Sequence, residues 1–203
     1  MDRGFTTLSH PETLYHFYLK HRKNRIVISG THGKTTTSSL TAAIFNAAGT
    51  DPSVFIGGEV LEYGCGAHLG QGDTFIAEGD EYDTAWFDKV PKFWHYDPTH
   101  LCINNIEFDH ADIYANIEEI VGVFEKLVRG MPSDGFVLYN ADDANVRRVV
   151  RCAVSRTAGF SLERHPDAAY YAENVKMHDG GLSLVVVKAA TGEVVANLRS
   201  PLT

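Results

Sequence analysis

The run Gly30-Thr31-His32-Gly33-Lys34-Thr35-Thr36 brings together the residue types that hold a phosphate chain. Glycines let backbone N–H groups approach the phosphates, and the positive end of a following helix reinforces them. A lysine then reaches the β- and γ-phosphates, and the next hydroxyl can bind Mg²⁺. Gly30, Thr31, His32, Gly33, Lys34, Thr35 and Thr36 are therefore candidate nucleotide-binding residues. Lys34 would act on the transferred phosphoryl group and Thr35 on the metal. The loop is shorter than G-x-x-x-x-G-K-[ST], because Ile28 stands where the first glycine of that pattern would fall. A Gly-rich turn with a surface lysine is the plain alternative.

Two polar clusters lie downstream. Glu78-Gly79-Asp80-Glu81-Tyr82-Asp83 places four carboxylates in six residues. A carboxylate just past a strand can hold Mg²⁺ directly or through water, since that ion prefers hard oxygen ligands. Glu78, first after an expected strand, is the best-placed ligand; a solvated acidic loop is the alternative. Asn104-Asn105-Ile106-Glu107-Phe108-Asp109-His110-Ala111-Asp112 gathers Asn, Glu, Asp and His, which could bind a second metal or orient a carboxylate. A hydrogen-bonded structural histidine is the alternative there. In open parallel sheets ligands sit beyond the carboxyl ends of the strands. Three polar clusters at three strand ends would share that rim.

The elements that position them follow from periodicity. Arg25–Ser29 is a β-branched run and predicts a buried strand. Lys34–Ala48 suits a helix that Gly49 stops. Val54–Ile56, Thr74–Ala77, Leu101–Ile103 and Phe136–Tyr139 predict further strands, with one more inside Cys152–Phe160. Residues 62–72 hold four glycines and read as a loop. Apolar residues at 117, 120, 121, 124, 127 and 128 predict a helix over Tyr114–Arg129. Short helices are expected at 11–21 and Asp142–Arg151. Strands alternating with helices predict an α/β fold with a doubly wound, mainly parallel sheet. Beyond about Asp167, Val175–Met177, Leu182–Lys188 and Val194–Leu198 alternate with turn signals between them. They predict a small antiparallel β appendage at the C-terminal side.

Composition narrows the class. The 203 residues carry 18 Lys and Arg against 26 Asp and Glu, a formal charge of −8. That balance argues against nucleic acid or an anionic membrane as a partner. No apolar run is long enough to span a bilayer. Cys65, Cys102 and Cys152 show no metal-ligand spacing and read as reduced thiols. With no h-region at the start, they predict a cytoplasmic protein. Trp86, Phe87, Phe93 and Trp94 are expected in the core or a packed lid.

GTHGKTTT at Gly30–Thr37 resembles the ATP-binding loop of the Mur ligases. The E-x-D-E segment, followed about thirty residues later by Asp109-His110, resembles that family too. EGDEYDTAWFDK (Glu78–Lys89), His95-Tyr96 and NNIEFDHADIY (Asn104–Tyr114) are similar to one branch within it. That branch joins the tripeptide L-Ala-γ-D-Glu-meso-diaminopimelate to UDP-N-acetylmuramate in peptidoglycan recycling. The branch that adds L-alanine to UDP-N-acetylmuramate would show Ser for Tyr82 and a DHMD-like run for Asp109–Asp112. The similarity covers about Leu8 to Asn145 and is weak beyond Phe160.

The resemblance implies a three-domain ligase of which this chain is the central, ATP-binding part. Residues 1–24 would be a linker and short helix, 25–203 the ATP-binding domain with hairpins over 168–203, and the C-terminal domain would be absent. ATP and Mg²⁺ are the implied cofactors; UDP-N-acetylmuramate and the tripeptide are the implied partners. The substrate carboxylate would take the γ-phosphoryl group as an acyl phosphate, which the amine then attacks. Lys34 would neutralise charge on the phosphates, and Thr35 and Glu78 would hold one Mg²⁺. His110 would contribute to a second metal, and His32 and Asn105 would meet the sugar-side substrate. The family's carbamylated lysine has no match: Glu125 stands at that position with Lys126 beside it, so no such role passes to Lys126. Ligation of L-alanine to UDP-N-acetylmuramate is the first alternative; a folylpolyglutamate-synthetase-like ligase, which the wording at Glu78–Lys89 disfavours, and a P-loop binding module without turnover are the other readings.

Overall fold

The elements run α1 (His10–Phe17), β1 (Asn24–Ser29), α2 (Lys34–Ala47), β2 (Ser53–Val60), β3 (Cys65–His68), β4 (Thr74–Gly79), β5 (Asp83–Ala85) and β6 (Asp88–Pro91). They continue with β7 (His100–Ile103), α3 (Ile117–Arg129), β8 (Phe136–Asn140), α4 (Ala144–Val150), β9 (Arg156–Ser161), β10 (Ala168–His178), β11 (Gly181–Lys188) and β12 (Glu193–Ser200). The computed structural model describes residues 7–61, 63–109 and 111–200. His110 therefore lies outside the described residues.

Ten strands form one sheet in the order β12-β11-β10-β9-β8-β7-β1-β4-β2-β3. Pairing is parallel from β10 through to β2. It turns antiparallel only at the two edges, β2–β3 and β10–β11–β12. β1 sits inside the parallel part between β4 and β7, so the three chemical clusters emerge from adjacent strand ends. The mainly parallel α/β sheet with C-terminal antiparallel strands is thus as expected. The antiparallel part, however, continues the main sheet, because β10 pairs with β9 at one edge and β11 at the other.

Successive residues in a strand point to opposite faces, and both faces here are covered. Val27, Phe75, Ala77, Leu101 and Ile103 pack in one core with Ile120, Val121, Phe124 and Val128 of α3 and Val146 and Val149 of α4. Ile28, Ile76, Val54 and Ile56 pack on the other face with Ala42 of α2. The α3 stripe is the one its period predicts. Caps begin three helices. The Ser9 side chain accepts from Glu12 N in α1, Asn116 from Glu119 N in α3, and Asp143 from Val146 N in α4.

Several expectations change. The glycine-rich stretch contains strand β3. A Cβ on Gly66 would lie 2.3 Å from the Ile56 carbonyl oxygen, so the glycine permits a backbone approach rather than a flexible loop. β4 runs on through Glu78 and Gly79. α3 starts at Ile117, because Tyr114 instead turns inward and its hydroxyl donates to the Glu81 carbonyl at 2.6 Å. α4 starts at Ala144 rather than Asp142, with Asp143 as its cap. Phe93 is buried and Trp94 packs on the core, as expected. Trp86 and Phe87 do not belong there: they sit at the turn of an unforeseen β5–β6 hairpin, and Trp86 is 85% exposed. The thiols of Cys65, Cys102 and Cys152 are free. Among the described residues no helix is long and apolar enough to cross a membrane.

Asp143 ties the helix side of the fold to the rim. Its Oδ1 accepts from Val146 N at 2.9 Å and its Oδ2 from Ile106 N at 3.0 Å. Asp143→Ala removes a cap and orphans a backbone donor beside Asn105. We expect urea unfolding to show a loss of about 2 kcal/mol; an unchanged midpoint would show that neither bond contributes.

Candidate phosphate-binding site

The loop after β1 is shaped by two glycines. Gly30 has φ of 134° and Gly33 of 76°, both in the region that side chains avoid. Gly30 is also crowded. A Cβ there would lie 2.9 Å from the Asn105 carbonyl oxygen and 3.0 Å from its nitrogen. Gly33 is the N-cap of α2, and no side chain caps that helix. α1, α3 and α4 each use a side-chain cap, whereas the first-turn N–H groups of α2 meet no capping side chain.

The segment after β7 braces this loop. Thr31 N donates to the Asn105 carbonyl at 3.0 Å. His32 N donates to Asn105 Oδ1 at 2.7 Å, and Asn105 Nδ2 donates back to the His32 carbonyl at 3.3 Å. Glu107 N donates to Thr31 Oγ1 at 2.9 Å, and Asn104 Nδ2 to Thr37 Oγ1 at 3.1 Å. The Asn105 amide thus holds the loop backbone at His32. The His32 ring is outside this network, 58% exposed with Nε2 3.7 Å from a Glu107 oxygen.

Lys34 points back into the loop. Its ammonium donates to the Gly30 carbonyl at 2.7 Å, the Thr31 carbonyl at 3.1 Å and the Glu81 carboxylate at 3.0 and 3.2 Å. Glu81 is 1% exposed. Next along α2, Thr35 Oγ1 donates to Glu78 at 3.0 and 3.1 Å. Gly57 N also donates to Glu78, at 2.9 Å. A hydroxyl and a carboxylate side by side are hard oxygen donors of the kind Mg²⁺ takes. Thr36 faces outward, beside Leu40 and Val60. Among the described residues no group of three His, Cys, Asp or Glu converges on a metal-sized site.

The acidic stretch is not a bare solvated loop. Besides Glu78 and Glu81, Asp80 binds Lys92 at 2.5 Å and Asp83 binds Lys89 at 2.8 Å. Tyr82 donates to the Asp112 carboxylate at 3.1 and 3.2 Å, which raises its phenol above the ordinary range. On the other side of β1, a cavity of about 550 Å³ lies between the loop and β7–β9, lined by Gly33, Thr37, Asn104, Leu138, Phe160 and Leu162. Cys102 also borders it, and burial pushes that thiol up to about 12, so it stays protonated.

The geometry brings together Gly30, Thr31, Gly33, Lys34, Thr35 and Glu78. Sequence reasoning chose Glu78 from four carboxylates and overlooked Glu81, the lysine's partner. Position along the strand distinguishes Glu78 alone; only the fold of the loop brings Glu81 back over Lys34. Lys34→Ala would leave a buried carboxylate without its lysine. We expect a loss of about 3 kcal/mol in urea unfolding, and Lys34→Ala/Glu81→Ala to regain much of it. If the single variant matched the parent, the buried pair would not contribute to stability.

The Mur ligase middle domain family matches residues 28–202. The chain is 39% identical over 150 residues to UDP-N-acetylmuramate–L-alanyl-γ-D-glutamyl-meso-2,6-diaminoheptandioate ligase of Escherichia coli (strain K12), covering 74% of this chain and 33% of that protein. It is 32% identical over 197 residues to UDP-N-acetylmuramate–L-alanine ligase of Desulforapulum autotrophicum, covering 97% of this chain and 41% of that one. The crystal structure of UDP-N-acetylmuramate:L-alanyl-γ-D-glutamyl-meso-diaminopimelate ligase from Neisseria meningitides superimposes with a TM-score of 0.84 at 31% identity, over 98% of this chain and 62% of that one. The chain thus spans about a third of the length of its E. coli relative. With its uncapped glycine loop, its lysine and the match over residues 28–202, the chain belongs to the Mur ligase family, in the part described as the middle domain.

Proposed function

We propose that this chain is the ATP-handling part of a carboxylate–amine ligase of peptidoglycan recycling. The reaction joins L-Ala-γ-D-Glu-meso-diaminopimelate to UDP-N-acetylmuramate. The observation that carries the reading is the juxtaposition of Lys34 and Thr35, at the uncapped start of α2, with Glu78 at the end of β4. The 39% identity to the E. coli tripeptide ligase supports the finer substrate choice.

The chain's residues have separable tasks. Backbone N–H groups from Gly33 into the first turn of α2 receive phosphate oxygens. Lys34 neutralises charge on the β- and γ-phosphates as the γ-phosphoryl group passes to the substrate carboxylate. The amine then displaces phosphate from the acyl phosphate. Thr35 and Glu78 would hold Mg²⁺, which supplies charge neutralisation at the phosphates; His110 remains a proposed ligand for a second ion. The cavity beside the loop, with Leu138, Phe160 and Leu162 as apolar walls and Asn104 as a polar edge, suits a nucleotide base. His32 and Asn105 stay candidates for the sugar-side substrate, Asn105 acting through the loop it braces.

The second reading, ligation of L-alanine, is favoured by the 32% identity that extends over 97% of the chain. In a ligase that carries this chain together with the parts that bind the carboxylate and the amine, an assay with ATP, Mg²⁺ and UDP-N-acetylmuramate separates the two by whether the tripeptide or L-alanine is consumed as the amine. The shared part is tested by binding. Calorimetry should show Mg²⁺-dependent ATP binding, weakened at least about tenfold by Lys34→Met and shifted to higher Mg²⁺ by Glu78→Gln. Equal ATP affinity in all three proteins would contradict the site.

A further inference from the structure

The buried partner of Lys34 has a consequence for how a nucleotide enters. An ammonium has three N–H donors and no acceptor. In this structure the Gly30 carbonyl, the Thr31 carbonyl and the Glu81 carboxylate take all three. A phosphate that engages Lys34 must therefore replace one of them. The two carbonyls belong to the loop, whose backbone Asn105 fixes at Thr31 and His32. Glu81 is the one anionic acceptor, offering two oxygens at 3.0 and 3.2 Å, and in charge and geometry it resembles a phosphate edge. It cannot swing out to solvent readily: it is 1% exposed, and Tyr114 holds its backbone carbonyl at 2.6 Å.

We propose that Glu81 is the resting counter-ion of Lys34, and that polyphosphate binding exchanges this carboxylate for a phosphate oxygen. The proposal rests on the ATP-site reading above and deepens it. Glu81 is a positioning residue. It keeps the flexible lysine ordered at the mouth of the loop, and it opposes the polyphosphate by competing for the ammonium and repelling the arriving charge. Its removal should tighten binding of nucleotides that reach Lys34 and leave others alone.

The test compares ATP·Mg²⁺ and AMP by calorimetry on the parent chain, Glu81→Gln and Glu81→Asp. Glu81→Gln keeps the shape and removes the charge. It should bind ATP about tenfold tighter with AMP unchanged, while Glu81→Asp keeps the parent's ATP-to-AMP ratio. In a Lys34→Met background the Gln substitution should have no effect on that ratio. The ratio does not depend on the fraction of folded protein, so lowered stability does not mimic the result. A parent preference for ATP that Glu81→Gln leaves unchanged or reduces would overturn the exchange while sparing the site. A parent chain with no preference for ATP over AMP would remove the site and the exchange together.

Discussion

The arrangement depends on one close approach, that of Gly30 to the backbone of Asn105. No side chain fits between them, since a Cβ on Gly30 would sit 2.9 Å from the Asn105 carbonyl oxygen. Because the loop lies against this segment, Thr31, His32 and Thr37 can each be bonded from Asn104, Asn105 or Glu107. That bracing fixes where α2 begins, and so where its N–H groups and Lys34 point. The segment is anchored in turn from α4, through Asp143 and the Asn145 amide, which bind the two backbone groups of Ile106. A network of side-chain amides, rather than the lysine, therefore sets the geometry of the loop and of the start of α2.

Electrostatics on the rim follow from the same placement. The chain is acidic overall, at −8, yet its acidic stretch is compensated residue by residue. Glu78 meets a hydroxyl and a backbone N–H, Glu81 meets Lys34, and Asp80 and Asp83 meet Lys92 and Lys89. Pairing lets four carboxylates crowd one turn without mutual repulsion expelling them. It also separates their tasks. Glu78 shares its corner with a hydroxyl, as a metal ligand would, whereas Glu81 is buried and committed to a cation.

Much of this was legible in the sequence. The strand–loop–helix at residues 25–47, the α3 stripe and the parallel sheet follow from β-branched runs and 3.6-residue periodicity, which report local burial directly. Gly30, Lys34, Thr35 and Glu78, picked out because phosphate and Mg²⁺ chemistry would restrict the residue types at each position, do come together in the fold. What escaped depends on tertiary contact. Glu81 looks like its neighbours until the turn after β4 carries it over Lys34. Tyr114 reads as helical until its hydroxyl finds the Glu81 carbonyl. β3 escaped because glycine spacing signals flexibility and close backbone packing alike. Trp86 misled because an aromatic at a hairpin turn carries no local mark of exposure.

The proposed seat for phosphate is the backbone from Gly33 into the first turn of α2. Amide hydrogen exchange, followed residue by residue with and without ATP·Mg²⁺, reads that most directly. New protection is expected at Gly33, Lys34, Thr35 and Thr36, with exchange in β10–β12 unchanged. Protection confined to other segments, or none at residues 33–36 under saturating nucleotide, would contradict it.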